Sequence, residues 1–272
     1  MAKAERMFVV VDPSSNSHPA LERVIRTAKL RPTLPVVKVF VIVDSEAVDT
    51  RAINDNLCRD QSWFISEIRE PLEEVGVEYS IEISWSSEWQ KSILMSSKQF
   101  GTDRIYLPVH ERTNNSSRYS FSESKWDLLK TAECPVVLIQ PQATEQRKVI
   151  LAAVNIQALD DAQRELNKSI LHWGKEVADM YGAEYHVVNA YVDSMNYPDR
   201  GRLAKETGIE STHIHVEAGY TDESVSRVAE RINADLVVMG TLGQNGMIKS
   251  RRGNTAARVI AALKQDIMVV NH

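Results

Sequence analysis

Gly240, Gly243 and Gly253 are the residues of this chain whose type and spacing best suit chemistry. A glycine lets backbone N–H groups come close to an anion, and a helix starting just beyond adds the positive end of its dipole. Lys249, Arg251 and Arg252 lie between the second and third glycines. Three cations beside a helix start suit a polyphosphate, although a solvated basic loop is the competing reading. The segment GQNGMIKS is one residue short of a Walker A motif. Ile248 stands where its second glycine belongs, and no helix follows directly, so that motif is rejected.

Other chemistry has less support. His213 and His215 alternate, so on a strand they face one side, but the sequence offers no evident third ligand and hence no protein-built metal site. His18, His172 and His186 add nothing to this. No Ser-His-Asp grouping can be placed, and no residue is nominated as a general base or nucleophile. The chain therefore reads as a binder rather than an enzyme, with slow ATP hydrolysis left open. The tryptophans fall mostly in the first half, at Trp63, Trp85, Trp89 and Trp126 against Trp173 in the second. Core packing is the default for them, and an apolar pocket for a greasier ligand is the alternative. Cys58 reads as a buried or half-buried small residue.

The elements that must position the glycines are legible around them. Leu236–Met239 is a strand stopping at Gly240, GNTAARVIAALK has helical apolar spacing from Gly253, and Ile267–Val270 is a closing strand. The loop therefore lies outside the carboxyl ends of an open α/β sheet, where such folds bind ligands. Upstream the same order occurs twice. Strands are expected at Phe8–Val11, Val36–Val43, Tyr79–Trp85, Ile105–Val109 and Val136–Ile139. They recur at Val149–Val154, Glu184–Val192, His213–Val216 and the two already named, with helical patterns between. Asp103 and Asp235 open equivalent strands at an offset of 132 residues, which carries Val136–Ile139 onto Met268–Asn271 without a gap. That agreement argues for duplication. The polar stretch PQATEQR, Pro141–Arg147, divides the halves into domains 1–143 and 144–272.

Composition bounds the function. With 32 Lys and Arg against 37 Asp and Glu, the net charge of −5 gives no basic field for nucleic acid. Two cysteines make no disulfide framework, and the cytoplasm is the expected compartment. The longest apolar stretches are of strand length, which argues against membrane insertion.

Taken together, Gly240-x2-Gly243-x9-Gly253-Asn254, its strand–loop–helix setting and the duplication resemble a tandem universal stress protein, two UspA-type domains in one chain. The stretches ILAAVN, VVNAY and GNTA look closest to the UspE-like tandem subgroup. The resemblance implies two doubly wound, five-stranded parallel-sheet domains of the adenine nucleotide alpha hydrolase-like type, related by a pseudo-two-fold. It implies a stress-response regulatory protein that binds ATP or a related nucleotide, with Mg accompanying it. In nucleotide-binding members the base meets the ends of the first two strands, here Asn155 and Ala190. Met239 and Gly240 line the next part, and Gly243, Gly253, Asn254 and Thr255 face ribose and phosphates. Asn155 stands where the family usually has Asp, and Asn254 where it has a hydroxyl. These departures favour an interaction module that binds no nucleotide; a binder of a lipid-like or nucleotide-sugar ligand is a further alternative. The family also pairs its last strands, which in a tandem chain gives an intrachain pseudo-dimer and leaves open a further homodimer.

The first half departs further. At the same offset Pro108, Glu111 and Phe121 replace the three glycines, and Pro13 follows Asp12. Proline has no N–H to give, a carboxylate repels phosphate and phenylalanine fills space. No nucleotide site of the family kind is expected there.

Overall fold

The β-branched run RMFVVV is almost wholly buried, which requires a strand covered on both faces. It is β1 (Arg6–Val11), the centre of a parallel sheet with β2 (Val36–Ile42), β3 (Glu78–Ser84), β4 (Arg104–Pro108) and β5 (Val136–Ile139). The computed structural model describes residues 4–42, 58–109, 123–142, 145–158, 160–242 and 254–271. Two compact units emerge, 1–115 with 132–145 and 116–131 with 146–272.

In the first unit the strand order is β3-β2-β1-β4-β5. The connections include α1 (Pro19–Lys29), α2 (Gln61–Trp63), a π-helical stretch Phe64–Arg69, α3 (Glu70–Val75) and α4 (Trp89–Phe100). Asp60 starts α2 by accepting from Trp63 N–H at 3.0 Å. Gly76 closes α3 in the left-handed region at φ 76°.

The second unit repeats the plan as β10-β9-β6-β7-β8, again parallel throughout. Its strands are β6 (Val149–Val154), β7 (Glu184–Tyr191), β8 (Ile214–Ala218), β9 (Leu236–Thr241) and β10 (Asp266–Asn271). Its helices include α6 (Asp161–Tyr181), α7 (Arg200–Thr207), α8 (Thr221–Arg231) and α9 (Thr255–Ala262). Helix α5 (Glu123–Thr131) also belongs here, although the sequence boundary at 143 assigns it to the first domain. Leu129 O of α5 accepts from Asn271 Nδ2 at 2.6 Å, and Leu128 and Leu129 are fully buried.

The duplication has a structural counterpart. Asp103 Oδ2 accepts from Arg6 N–H at 2.8 Å, and Asp103 N–H donates back to Arg6 O at 2.9 Å. Asp235 Oδ2 likewise accepts from Val149 N–H at 3.0 Å, and Asp235 N–H donates to Val149 O at 2.9 Å. The aspartates that set the repeat register thus tie the same pair of strands in each unit.

Helix α6 positions the second unit's rim. Asp160 caps it by accepting from Gln163 N–H at 2.9 Å. Its apolar face includes the buried residues Leu166, Ile170, Val177 and Ala178. Gly174 costs an interior helix position about 1 kcal/mol relative to alanine. Its reason is the ring of Tyr185, which lies 2.8 Å from where a Cβ would stand. Among the described residues no helix is long and apolar enough to cross a membrane.

Candidate functional site

The carboxyl ends of β6, β7 and β9 form one rim. Val154 pairs with Asn189, so Asn155, the first residue past β6, lies beside Ala190, the penultimate residue of β7. Strand β9 lies on the other side of β6, with Met239 and Gly240 near its end. The structure thus gathers four of the expected site residues. Asn155 is exposed, while Met239 is buried.

A run of side-chain amides holds this rim. Asn167 of α6 accepts from Asn155 N–H at 3.1 Å and donates to Asn155 O at 2.8 Å. Fully buried Asn189 accepts from Ile156 N–H at 2.9 Å. Its Nδ2 donates to Gln157 Oε1 at 2.9 Å and to Ala190 O at 3.0 Å. Gln157 Nε2 reaches Ala190 O at 3.5 Å, a long and weak bond. The backbone of Asn155 is fixed and its side chain is left outward. Sequence reasoning missed Gln157, Asn167 and Asn189, although the spacing Asn155–Gln157 at a strand end was a usable signal.

Two expected ligand-side residues have local structural tasks. At Gly240 a Cβ would meet Leu166 Cδ1 at 2.5 Å and Cγ at 2.7 Å, so the leucine of α6 fills that space. Asn254 is the N-cap of α9, accepting from Ala256 N–H at 3.1 Å and Ala257 N–H at 3.3 Å. Thr255 opens that helix. Gly243, Gly253, Lys249, Arg251 and Arg252 lie outside the described residues.

The matching rim of the first unit is different. Buried Asp12 accepts from Ser14 N–H at 2.8 Å and Ser14 Oγ at 2.6 Å, which ties it to its own turn. Pro108 ends β4, and Glu111 and Phe121 lie outside the described residues. Here the structure has a cavity of about 200 Å³ with a largely apolar lining that includes Val41, Ile42, Phe64, Ile83 and Trp85. Trp63 and Trp89 are core residues, but Trp85 is 59% exposed, which corrects the core assignment for it. Cys58 also lines the cavity and is exposed rather than buried. Burial pushes the Cys134 thiol up to about 12, which leaves it inert.

The histidines form a second constellation. His213 ends a 3-10 turn, Ser211–His213, rather than lying on a strand, and only His215 is in β8. Both meet His186 of β7, with ring centroids 4.3 Å and 5.3 Å from it. His186 Nδ1 lies 3.1 Å from His215 Nε2, and Arg231 Nη2 lies 3.2 Å from His215 Nδ1. Burial, then His186 and Arg231, push His215 down to about 4, and burial lowers His186 as well. The folded chain holds these rings neutral at a pH where the unfolded chain protonates them, near 6.5. Their stabilisation is complete above about 6.5 and is lost as pH falls towards the folded values. The urea midpoint is therefore expected to drop between pH 7 and pH 5, and His215→Asn to shrink that drop. An unchanged drop in the variant would remove His215 as its source.

Two five-stranded parallel units in one chain resemble the tandem plan of the universal stress proteins. The family model described as Universal stress protein family matches residues 194–271. The chain is similar to universal stress protein E of Escherichia coli K12, 26% identical over 99% of this chain and 95% of that one. It is also similar to the universal stress protein E homolog of Haemophilus influenzae, 23% identical over 98% and 97%. In fold it matches a universal stress protein from Archaeoglobus fulgidus DSM 4304 with a TM-score of 0.71, at 16% identity over 99% of both chains.

Proposed function

We propose that the chain is a regulatory stress protein whose second unit binds a nucleotide or related phosphate-bearing ligand at the β6–β7–β9 rim. The observation that carries this reading is the placing of Asn155, just past β6, beside Ala190 of β7, with β9 on the other side of β6. Asn155 carries both a donor and an acceptor, as recognition of a base edge requires. Met239 and Gly240 contact base and ribose, while Gly243, Gly253, Asn254 and Thr255 face the phosphates. Lys249, Arg251 and Arg252 add charge, and Mg travels with the nucleotide. No residue is assigned to catalysis.

The test is thermal unfolding with ATP, ADP, AMP and a nucleotide sugar. A ligand at 100 times its Kd adds about 2.7 kcal/mol of stability, so a clear rise in Tm is expected. Asn155→Leu should abolish it while the variant still folds, because Asn167 holds the backbone and not the side chain at that position. No shift with any of the four removes the proposal.

The apolar cavity of the first unit favours a second reading, a lipid-like ligand there. Its apolar lining and exposed tryptophan suit an acyl chain better than a base.

A further inference from the structure

We propose that Glu184, His186 and His213 form a binding site for a divalent transition-metal ion of the zinc class, pinning β7 to the turn before β8. The three offer a carboxylate oxygen and two imidazole nitrogens that all lie within 4.8 Å of one another. Glu184 Oε2 and His186 Nε2 are 3.4 Å apart. Ligand atoms bound tetrahedrally at zinc distances stand about 3.3 Å apart, so this pair already has the required spacing. The sheet explains the placement. Glu184 and His186 are two apart on β7 and share a face. The pairing of Val187 with Ile214, continued one step back, sets His213 beside His186. Two imidazoles and one carboxylate make a three-ligand set with a fourth position for water.

The outer groups must change tautomer when the ion binds. Arginine only donates, so the Arg231 contact puts the His215 proton on Nε2, facing His186 Nδ1. The His186 proton then points from Nε2 towards Glu184 Oε2, the gap an ion would fill. When the ion takes Nε2, the His186 proton moves to Nδ1 and is donated to His215 Nε2. The His215 proton moves to Nδ1, so Arg231 gives up its contact with that nitrogen and keeps its 2.7 Å bond to Glu217 Oε1. No proton is gained or lost overall, and the coordinating ring is held by the hydrogen bond from its Nδ1–H to His215 Nε2.

The site is at the amino end of β7, and Ala190 is near its carboxyl end. Six residues of strand separate them by about 20 Å, so the site is independent of the nucleotide reading.

The full chain, stripped with EDTA and dialysed, is titrated with zinc chloride against a chromophoric chelator. One ion per chain is expected, with a rise in Tm. Cobalt(II) should give the visible absorption of a tetrahedral site. Glu184→Gln is a safe variant because that side chain is 67% exposed. It and His213→Gln should each weaken binding at least tenfold, whereas His172→Gln, at an exposed position, should leave it unchanged. No uptake overturns the proposal. So does uptake that neither Glu184→Gln nor His213→Gln weakens.

Discussion

Replacing Asp266 with alanine is expected to lower the unfolding free energy by about 3–5 kcal/mol. Asp266 opens β10 at 2% exposure, and its Oδ2 lies 2.6 Å from Arg147 Nη2, whose residue is also 2% exposed. The guanidinium additionally lies 5.6 Å from the centroid of the Tyr181 ring. Arginine cannot shed its charge at any working pH. Truncating the carboxylate therefore removes a 2.6 Å counter-charge from a buried cation, and this penalty exceeds the net value of the pair. The size is large against the roughly 5–15 kcal/mol of an ordinary domain. Asp266→Ala combined with Arg147→Met should recover most of the loss, since a buried pair exchanged for apolar groups is often close to neutral. Urea unfolding of the two variants gives the comparison. A single variant within 1 kcal/mol of the parent, or a double variant as weak as the single, contradicts this account of the pair.

Gly240→Ala is expected to cost about 1–3 kcal/mol, the usual range for an overpacked core. The new Cβ would stand 2.5 Å from Leu166 Cδ1, 2.7 Å from Cγ and 2.8 Å from Cδ2. All three atoms are too close, so the whole isobutyl group must move, and Leu166 is only 2% exposed. Leu166→Ala alone leaves a cavity and costs about 2–5 kcal/mol. In the double variant the alanine at 240 no longer clashes, so the two losses should add to clearly less than their sum. Additive losses would mean that the two residues do not compete for one space. A Gly240→Ala variant of unchanged stability that no longer takes ligand would assign this glycine to the ligand alone.

Much of the fold was open to inspection in the sequence because its signals are local. The runs VVKVFVI and VILAAV announce buried parallel strands by composition, and each is one. Helix α4 spans the apolar-patterned stretch from Trp89 to Phe100, closed by Gly101 in the left-handed region. The site was legible only in part because its meaning depends on contacts across the chain. Gly240 carries a ligand signature in its spacing, but the filling of its space by Leu166, 74 residues earlier, has no local mark. Asn254 looked like a replaced hydroxyl and proves to be a helix cap, as its place before TAARVIAA allows. The histidines show the same limit. The alternation of Glu184 with His186 and of His213 with His215 is visible, yet only the register of β7 against β8 brings them together. Trp85 closes the alternating β3 pattern, which does not reveal that its ring stays exposed over a cavity.

Native mass spectrometry of the freshly purified chain, alone and with added ATP, tests the ligand claim most directly. A single adduct of nucleotide mass per chain is expected, retained by the parent and lost in Asn155→Leu and Gly253→Phe. A spectrum holding only the bare chain mass at every nucleotide concentration, or an adduct that both variants keep, would contradict it.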